Sequence, residues 1–554
     1  MPSDAAWWQG ATIYQIYPRS FLDTTGNGVG DLRGIARKLD HVAGLGVDAI
    51  WVSPFVQSPM KDYGYDVSDY FAVDPLFGQQ EDVHILFEEA HKRGLKVLMD
   101  QVLSHTSDRH PWFRESKCSR DNPRADWYVW ADAAPDGGPP NNWLSVFGGP
   151  SWQWSPWRGQ YYLHNFLREQ PDLNFHNPEV QEAMLEVCRT WLELGADGFR
   201  LDVCAFYFHD PELRDNPPEP ETPRGAHFQF NPYSHQRHVH DIAQPQNLAF
   251  LERLRALADS YGERVLLGEL HQENYARLHR DYTAPGRLHL AYGYDILGAD
   301  GLSAGLLRRS AEKLGHGPDD GWPCWAMDNH DFMRTPSRCG WEDDPDAAVL
   351  ALAALTCLRG ATCIYQGSEL ALPEAELSRD DLHDPYGIEF WPAYKGRDGA
   401  RTPMPWDAQA PHGGFSAADP WLPVPAAHLR RAVSVQAEQP GSPLNRLRRF
   451  LAWRGQEAAL RRGAMTFHDA PENVLAFSRS LADEAICCVF NLGPEERRVP
   501  ISGGVCGRAL EGHGYGCPEE GGSLRLPAWG AWFGKTSGGA ATAAAAGAAA
   551  TAAP

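Results

Sequence analysis

The sequence predicts an α/β fold in which parallel strands alternate with helices, followed by a smaller antiparallel β-domain. Strand and helix patterns alternate over most of the 554 residues, which is typical of a parallel sheet covered by helices, and about eight such units close into a barrel. A segment rich in Trp, Pro and Gly interrupts the alternation after the third strand, and only short strand patterns occur near the end of the chain. Together these observations predict a TIM (β/α)8 barrel with an inserted domain after strand 3 and a C-terminal antiparallel β-sandwich domain.

The individual elements follow from hydrophobic periodicity. Strand patterns lie at 11–17, 47–52, 96–102, 197–202, 264–267, 324–327 and 362–365. Helical patterns lie at 32–45, 81–93, 180–194, 248–261, 304–314 and 347–358. Barrels of this kind carry their chemistry at the carboxyl ends of the strands. The polar residues that follow each strand are therefore the candidates for a functional site.

The interruptions predict the domain boundaries. The predicted parts are the first half of the barrel, a loop-rich inserted domain and the second half of the barrel, at 1–103, 104–171 and 172–465. Four short strands predict a β-sandwich over 466–537, and they lie at 474–478, 485–491, 497–501 and 523–526. The alanine-rich residues 538–554 are expected to be a low-complexity tail. The histidines between His227 and His240 are too loosely spaced to predict a metal site.

Composition narrows the class of protein. A formal net charge of −22 and a pI near 5.4 argue against nucleic acids and anionic membranes as partners. The first residues show neither a basic start nor an apolar core, so no signal peptide is expected, and no apolar stretch is long enough to span a bilayer. The 11 cysteines lack the spacing of a zinc site and are expected to be reduced thiols of a cytoplasmic protein.

Residues 198–202, Gly-Phe-Arg-Leu-Asp, carry the strongest chemical signal. Side chains alternate along a strand, so Arg200 and Asp202 point to the same side. A neighbouring guanidinium keeps an aspartate ionised and oriented, as a nucleophile requires. The alternative is a structural ion pair inside the barrel.

Two further carboxylates follow other strands. Glu269 ends an apolar strand, and an apolar setting would raise its pKa so that it could donate a proton. Asp331 follows His330 after the strand pattern at 324–327. A structural role would require a cation for each of these carboxylates and for Asp202, and only Arg200 is evident. Glycoside cleavage needs such a cluster, with one carboxylate to attack the sugar and another to protonate the leaving oxygen.

The loop at 23–31 alternates oxygen-bearing side chains with glycines. This pattern resembles a calcium loop, although no glutamate closes it. A structural Ca²⁺ or Mg²⁺ ion would take its ligands from Asp23, Thr25, Asn27, Val29 and Asp31. The alternative is an Asn-Gly turn that caps the next helix. No organic cofactor is expected.

Four short segments resemble, in the right order, the four motifs of the α-amylase family of glycoside hydrolases (glycoside hydrolase family 13): 100–105, 198–202, 267–269 and 329–331. The resemblance extends to about residue 537 and implies a TIM barrel and a retaining double displacement. It makes Asp202 the nucleophile, Glu269 the acid/base and Asp331 the stabiliser of the transition state.

The same resemblance assigns supporting roles. Arg200 would orient Asp202, and His105 and His330 would bind sugar hydroxyls. Ser104 stands where the family usually has asparagine, which weakens the inference of the calcium site that this asparagine serves in many amylases.

The chain also resembles the exo-acting α-glucosidases and oligo-1,6-glucosidases, at 7–21, 23–31 and 170–174. In that branch Asp62 and Arg401 would form a salt bridge that closes the pocket, and both would hold the non-reducing glucose. Tyr65 would stack beneath the sugar, and Phe147 and Phe166 would also bind substrate.

Linkage preference stays open between two patterns. Val203 resembles the 1,6-specific enzymes, whereas residues 206–210 and 213–218 resemble α-glucosidases and α-glucosyl transfer enzymes that prefer short α-1,4 substrates. We expect a retaining exo-acting α-glucosidase that acts on maltose-like α-1,4 glucosides and transfers glucose to acceptor hydroxyls, as a monomer or homodimer. The alternatives are an oligo-1,6-glucosidase, a sucrose-acting isomerase or transferase, and a non-catalytic interaction subunit.

Overall fold

The computed structural model describes residues 6–220, 230–270, 275–315, 321–502 and 504–537. His227 and the predicted tail at 538–554 lie outside the described residues. Within those ranges, no helix is both long enough and apolar enough to cross a bilayer.

Eight parallel strands close into the predicted barrel. We number them β1 to β8 in chain order: Thr12–Ile16, Ala49–Val52, Lys96–Gln101, Gly198–Leu201, Val265–Leu270, Leu290–Gly293, Trp322–Ala326 and Ala361–Tyr365. Each strand pairs with the one before and the one after it, and β8 closes the ring on β1. Almost all of their residues are buried, because side chains fill the inside of the barrel and helices cover its outside.

Strand β6 has no counterpart among the predicted strands. It is only four residues long, Leu-Ala-Tyr-Gly, and two of these residue types favour strands weakly. Its pairing with β5 places Glu269 opposite Tyr292. The strand is stabilised by its place in the ring more than by its own sequence.

Helices alternate with the strands and continue after the barrel. They span Leu32–Ala43, Gln80–Lys92, Pro111–Ser116, Pro178–Glu193, Asn247–Asp259, Tyr275–Tyr282, Tyr294–Leu297, Ala304–Lys313, Thr335–Arg338, Pro345–Cys357, Pro385–Phe390, Ala426–Leu429, Val433–Ala437, Pro443–Gln456 and Ala458–Arg462. Their starts follow ordinary capping rules: the side chains of Asp31, Asn177 and Ser303 accept hydrogen bonds from the first free amides.

The inserted segment after β3 contains an antiparallel sheet of three short strands, Trp130–Ala131, Gln160–Leu163 and Trp152–Ser155. A further antiparallel pair, Val56–Gln57 and Asp69–Val73, follows β2. Both additions follow the carboxyl ends of barrel strands.

The C-terminal region is a sandwich of two antiparallel sheets, as predicted. One sheet contains Ala464–Phe467, Val474–Leu481, Glu484–Asn491, Ala531–Ser537 and Arg508–Ala509. The other contains Arg497–Pro500, Ser523–Leu526 and Glu519–Glu520. Val489 and Trp532 of the first sheet share an apolar core with Val499 and Leu524 of the second. The sequence-based prediction lacks four of these strands: Ala464–Phe467, Arg508–Ala509 and Ala531–Ser537 of the larger sheet and Glu519–Glu520 of the smaller one.

The helix Pro345–Cys357 joins the two units. Its residues from Ala347 to Cys357 are all buried, because it packs in one core with barrel residues on one side and with Phe477 and Phe490 of the sandwich on the other. A helix that is apolar all round is expected in such a place.

Candidate active site

Arg200 lies at the centre of the barrel mouth and is completely buried. Its Nη1 donates to Asp100 Oδ1 at 2.8 Å and to Asp202 Oδ1 at 2.7 Å. Its Nη2 donates to Glu269 Oε2 at 2.5 Å. One guanidinium therefore binds three carboxylates: Asp100 on β3, Asp202 directly after β4 and Glu269 on β5. The predicted contact between Arg200 and Asp202 is present.

Neighbouring aromatic residues fix this guanidinium in place. The Tyr292 hydroxyl accepts from Arg200 Nη2 at 2.7 Å, and the guanidinium lies 4.9 Å from the centre of the Trp51 ring. The Trp51 indole N–H also donates to Asp100 at 3.0 Å. A planar fork with every nitrogen engaged has little freedom to turn.

The pKa of Asp202 reflects opposing influences. Burial raises its pKa, the Arg200 guanidinium lowers it, and the charges of Glu269 and Asp100 raise it again, so that the pKa lies well above its usual range. Arg200 therefore lowers the pKa of Asp202, as expected, but burial and the two neighbouring carboxylates act against it. Burial likewise raises the pKa of Asp100 to about 6, against the lowering by Arg200.

The surroundings of Glu269 are polar, whereas the sequence predicted an apolar setting. Its Oε2 accepts from the Val203 backbone amide at 3.0 Å as well as from Arg200. Its Oε1 accepts from the Tyr294 hydroxyl at 2.6 Å. Since all three donors come from residues on or after neighbouring strands, a reading of one strand could not find them.

Asp331 lies between two guanidiniums. Arg397 Nη1 and Arg401 Nη2 each approach Asp331 Oδ1 at 3.1 Å. Burial opposes ionisation, but the neighbouring His330 and these guanidiniums outweigh it, and the pKa of Asp331 is held well below its usual range. The sequence analysis missed Arg397, whose position follows a long loop and carries no motif of its own.

The predicted salt bridge of Asp62 with Arg401 is replaced by one with Arg397. Arg397 Nη2 donates to Asp62 Oδ1 at 2.9 Å. Arg401 instead donates from Nε to the His330 carbonyl at 2.7 Å. Arg397 reaches both carboxylates because Asp384 anchors its guanidinium from behind, at 2.7 Å.

A hydrogen-bonded layer lies around Tyr65 and the two predicted histidines. The Tyr65 hydroxyl contacts His330 Nε2 at 2.6 Å, and the two rings stack at 5.3 Å between centroids. His105 Nε2 contacts the Tyr65 carbonyl at 2.9 Å, and burial lowers the pKa of His105 to about 4. Gln170 joins His105 at 3.2 Å to Asp62, also at 3.2 Å.

These groups surround one cavity of about 760 Å³. Phe166 contacts the His105 and Phe147 rings at 5.3 and 5.7 Å between centroids and forms an aromatic wall. The predicted residues that line the cavity are Asp62, Tyr65, His105, Phe147, Phe166, Asp202, Glu269, His330 and Asp331. Arg200 and Arg401 lie behind the residues that line the cavity. Arg200 contacts the carboxylates of Asp202 and Glu269, and Arg401 contacts that of Asp331.

Sequence comparison places this site in a known family. The profile described as alpha amylase, catalytic domain, matches residues 15–463. The chain belongs to the alpha-amylase family. It is therefore a glycoside hydrolase or transferase.

Individual relatives of this alpha-amylase family protein are similar over nearly the whole chain. A probable alpha-glucosidase from Rhizobium meliloti (strain 1021) is 52% identical over 542 residues, which cover 96% of this chain and 97% of the relative. The crystal structure of the alpha-glucosyl transfer enzyme XgtA superposes with a TM-score of 0.93 at 51% identity, covering 96% of this chain and 100% of that one. An oligo-1,6-glucosidase from Heyndrickxia coagulans is 37% identical over 479 residues, 79% of this chain and 83% of the relative.

The loop at 23–31 of this family member is held by its own hydrogen bonds. Asp23 accepts from the backbone amides of Thr25, Gly26 and Gly28, each at 2.8 Å. Asp31 accepts from the Thr24 and Gly34 amides, each at 2.7 Å. Every oxygen of both carboxylates already accepts an amide hydrogen bond, as in the helix-capping alternative.

Two of the other predicted ligands, Thr25 and Asn27, also take part in hydrogen bonds within the loop. Thr25 Oγ1 donates to Asp23 Oδ1 at 3.1 Å, and Asn27 Oδ1 accepts from the Val29 amide at 2.9 Å. No cluster of three or more acidic, histidine or cysteine side chains with metal-binding geometry occurs among the residues described. These hydrogen bonds account for the conformation of the loop, and no step of the chemistry is derived from a cation.

Proposed function

We propose that the protein is a retaining exo-acting α-glucosidase that releases or transfers α-glucosyl units from the non-reducing end of short α-1,4 glucosides such as maltose. The observation that carries the proposal is the pair Asp202 and Glu269, which both line the cavity and are bound to neighbouring nitrogens of one buried guanidinium. Such a bridge favours the short carboxyl–carboxyl separation of retaining enzymes, about 5 to 5.5 Å.

In the first half-reaction Asp202 attacks the anomeric carbon of the bound glucosyl unit. The bond from that carbon to the leaving oxygen breaks, and Glu269 gives its proton to that oxygen. The mechanism requires that Glu269 carries a proton while Asp202, in contact with the Arg200 guanidinium, is ionised.

In the second half-reaction the roles of Glu269 reverse. Its carboxylate takes a proton from water or from an acceptor hydroxyl, the oxygen attacks the anomeric carbon, and the bond to Asp202 breaks. Asp331 stays ionised throughout, since its pKa lies well below the usual range. Its negative charge stabilises the positive charge that develops on the sugar ring.

The exo-acting mode follows from the residues that close the cavity beside Asp331. Arg397 ties Asp62 to Asp331, and the His105–Gln170 contact continues the wall. A wall built from such a network accepts one sugar end, so the enzyme cleaves one glucosyl unit at a time.

The α-glucosidase and transfer activities are supported by the probable alpha-glucosidase and the alpha-glucosyl transfer enzyme, each at least half identical to this chain. The α-1,4 preference rests on the resemblance of residues 206–210 and 213–218. The oligo-1,6-glucosidase is more distant. Val203, the residue that suggested α-1,6 specificity, lines the cavity and donates its amide to Glu269. A comparison of maltose with isomaltose as substrates tests whether Val203 influences the linkage preference.

A product profile on maltose, isomaltose and sucrose tests the proposal. We expect α-glucose as the first product from maltose, with new glucosides accumulating at high substrate concentration. The matched variant Asp202→Asn should lower turnover by at least about 10³-fold while the melting temperature is maintained. Faster cleavage of isomaltose would establish the 1,6-specific alternative, rearranged sucrose would establish the isomerase, and release of β-glucose would contradict retention.

We further propose a cytoplasmic location, with small α-glucosides and hydroxyl acceptors as partners. All 11 cysteines are free, which supports a reducing compartment. Cell fractionation with activity measurement in each fraction tests the location.

A further inference from the structure

We propose that Tyr294 is a positioning residue whose hydroxyl orients Glu269 and holds down its affinity for a proton, and so sets the balance between the two half-reactions. The inference rests on the proposed function, since it takes Glu269 as the acid/base. Tyr294 lies directly after β6, the strand that sequence analysis did not find, and begins the helix Tyr294–Leu297.

The Glu269 carboxylate accepts one hydrogen bond at one oxygen and two at the other. The Tyr294 hydroxyl donates to Glu269 Oε1 at 2.6 Å. Oε2 accepts from Arg200 Nη2 at 2.5 Å and from the Val203 amide at 3.0 Å. The carboxyl plane is thereby fixed from both ends, and Oε1 is the oxygen that depends on Tyr294.

Other charged or titratable groups also lie near Glu269. They are Asp100 on β3, Arg200 on β4, Asp202 and Cys204 directly after β4, and Tyr292 on β6. The Cys204 thiol donates to the Glu269 backbone carbonyl at 3.3 Å and leaves the carboxyl group untouched. Arg200 is shared among three carboxylates, so the uncharged Tyr294 donor makes a distinct contribution at Oε1.

Tyr294 remains a donor over the working pH range. Burial raises the pKa of its hydroxyl, and the charges of Glu269 and Asp331 raise it further, so that it lies well above the ordinary value. Its ring meets Phe332 edge to face at 4.8 Å between centroids. A phenylalanine in its place retains this contact and removes only the hydrogen bond.

A hydrogen bond to a carboxylate favours the ionised form. Without the Tyr294 hydroxyl the ionised form of Glu269 loses its donor at Oε1. The acid form needed for glucosylation then persists to higher pH, whereas the base form needed to release the glucosyl unit becomes scarcer at low pH. One charge-assisted hydrogen bond corresponds to a shift of about one pH unit.

The experiment compares wild type with Tyr294→Phe in two assays. For maltose, the alkaline limb of the kcat/KM profile should move up by about one pH unit. For 4-nitrophenyl α-glucoside, whose leaving group needs no proton, steady turnover on the acid side should fall about tenfold and a burst of nitrophenolate should precede it. The matched control is Tyr275→Phe, which removes a hydroxyl 3.4 Å from the Ala291 carbonyl beside the same strand and should preserve the wild-type profile.

A second variant changes the donor in the opposite direction. 3-Fluorotyrosine at position 294 is a stronger donor, so the alkaline limb should move to lower pH. An unmoved limb in both variants, or a loss of equal size at every pH, would overturn the role of Tyr294.

Glu269→Gln separates this inference from the proposed function. If Glu269→Gln loses maltose turnover while the Tyr294→Phe profile stays that of wild type, only the role of Tyr294 is overturned. If Glu269→Gln retains turnover, the acid/base assignment is overturned and the inference with it.

Discussion

Arg397 is the residue on which the far end of the cavity depends. It contacts Asp62, Asp331 and Asp384 with one planar guanidinium. An arginine can serve several carboxylates in one plane, whereas a lysine offers a single point of charge. Three buried or half-buried carboxylates therefore rely on the shape of this side chain as well as on its charge.

Substitution Arg397→Lys should lower kcat/KM for maltose by about 10²-fold, with much of the loss in KM, because the wall around the terminal sugar loses its geometry. Steady-state kinetics and a melting curve measure this. Arg379→Lys, on an exposed turn of the same long loop, serves as the matched control. Equal kcat/KM values for the two variants would show that the charge of Arg397 is sufficient.

At the scale of single elements, the loop at 23–31 and the helix Leu32–Ala43 form one unit. Asp31 is the N-cap of the helix, and Asp23 is tied to Ser416 of a distant loop at 2.6 Å. Backbone amides of the chain donate hydrogen bonds to both carboxylates. The loop thus links the start of the barrel to the segment that carries Ser416.

We expect removal of divalent cations to leave this loop in place. Dialysis against EDTA should change the melting temperature by less than about 1 °C, and excess Ca²⁺ or Mg²⁺ should not raise it. The control Asp31→Ala, which removes the cap, should cost about 1 kcal/mol of unfolding free energy. A fall of several degrees on chelation that Ca²⁺ reverses would instead establish the cation site suggested by the glycine-rich pattern.

At the scale of the whole molecule, the barrel and the sandwich share a buried seam. Arg479 of the sandwich is completely buried. It donates from Nη1 to the Cys357 carbonyl at the end of a barrel helix at 2.6 Å and from Nη2 to the Gly463 carbonyl at 2.8 Å. These acceptors are carbonyls, and burial lowers the pKa of Arg479 to about 9. The seam thus depends on the buried hydrogen bonds that Arg479 donates to these two carbonyls.

Arg479→Met should therefore lower the free energy of unfolding by about 3 kcal/mol, because two buried carbonyls lose their donors. Denaturant titration measures the change, and kcat of the folded enzyme should stay near the wild-type value. The matched control Arg498→Met, on an exposed ion pair with Glu520, should change stability by less than about 1 kcal/mol. Equal stabilities of the two variants would contradict the role of the seam.

The sequence by itself determined the barrel, the sandwich and the three carboxylates Asp202, Glu269 and Asp331. Strand periodicity and the position of these residues at strand ends are local properties that can be read along the chain. It also predicted the contact between Arg200 and Asp202, because the two residues are neighbours on one face of a strand.

The tertiary structure decided which cation serves which carboxylate. Arg397 and Arg401 are four positions apart in an irregular segment, and only the path of that segment past Asp384 shows that Arg397 reaches Asp62. Tyr294 meets Glu269 only because β5 and β6 are adjacent in the closed ring. Hydrogen-bond geometry and shared charge depend on the relative positions of several strands, and no single stretch of sequence contains that information.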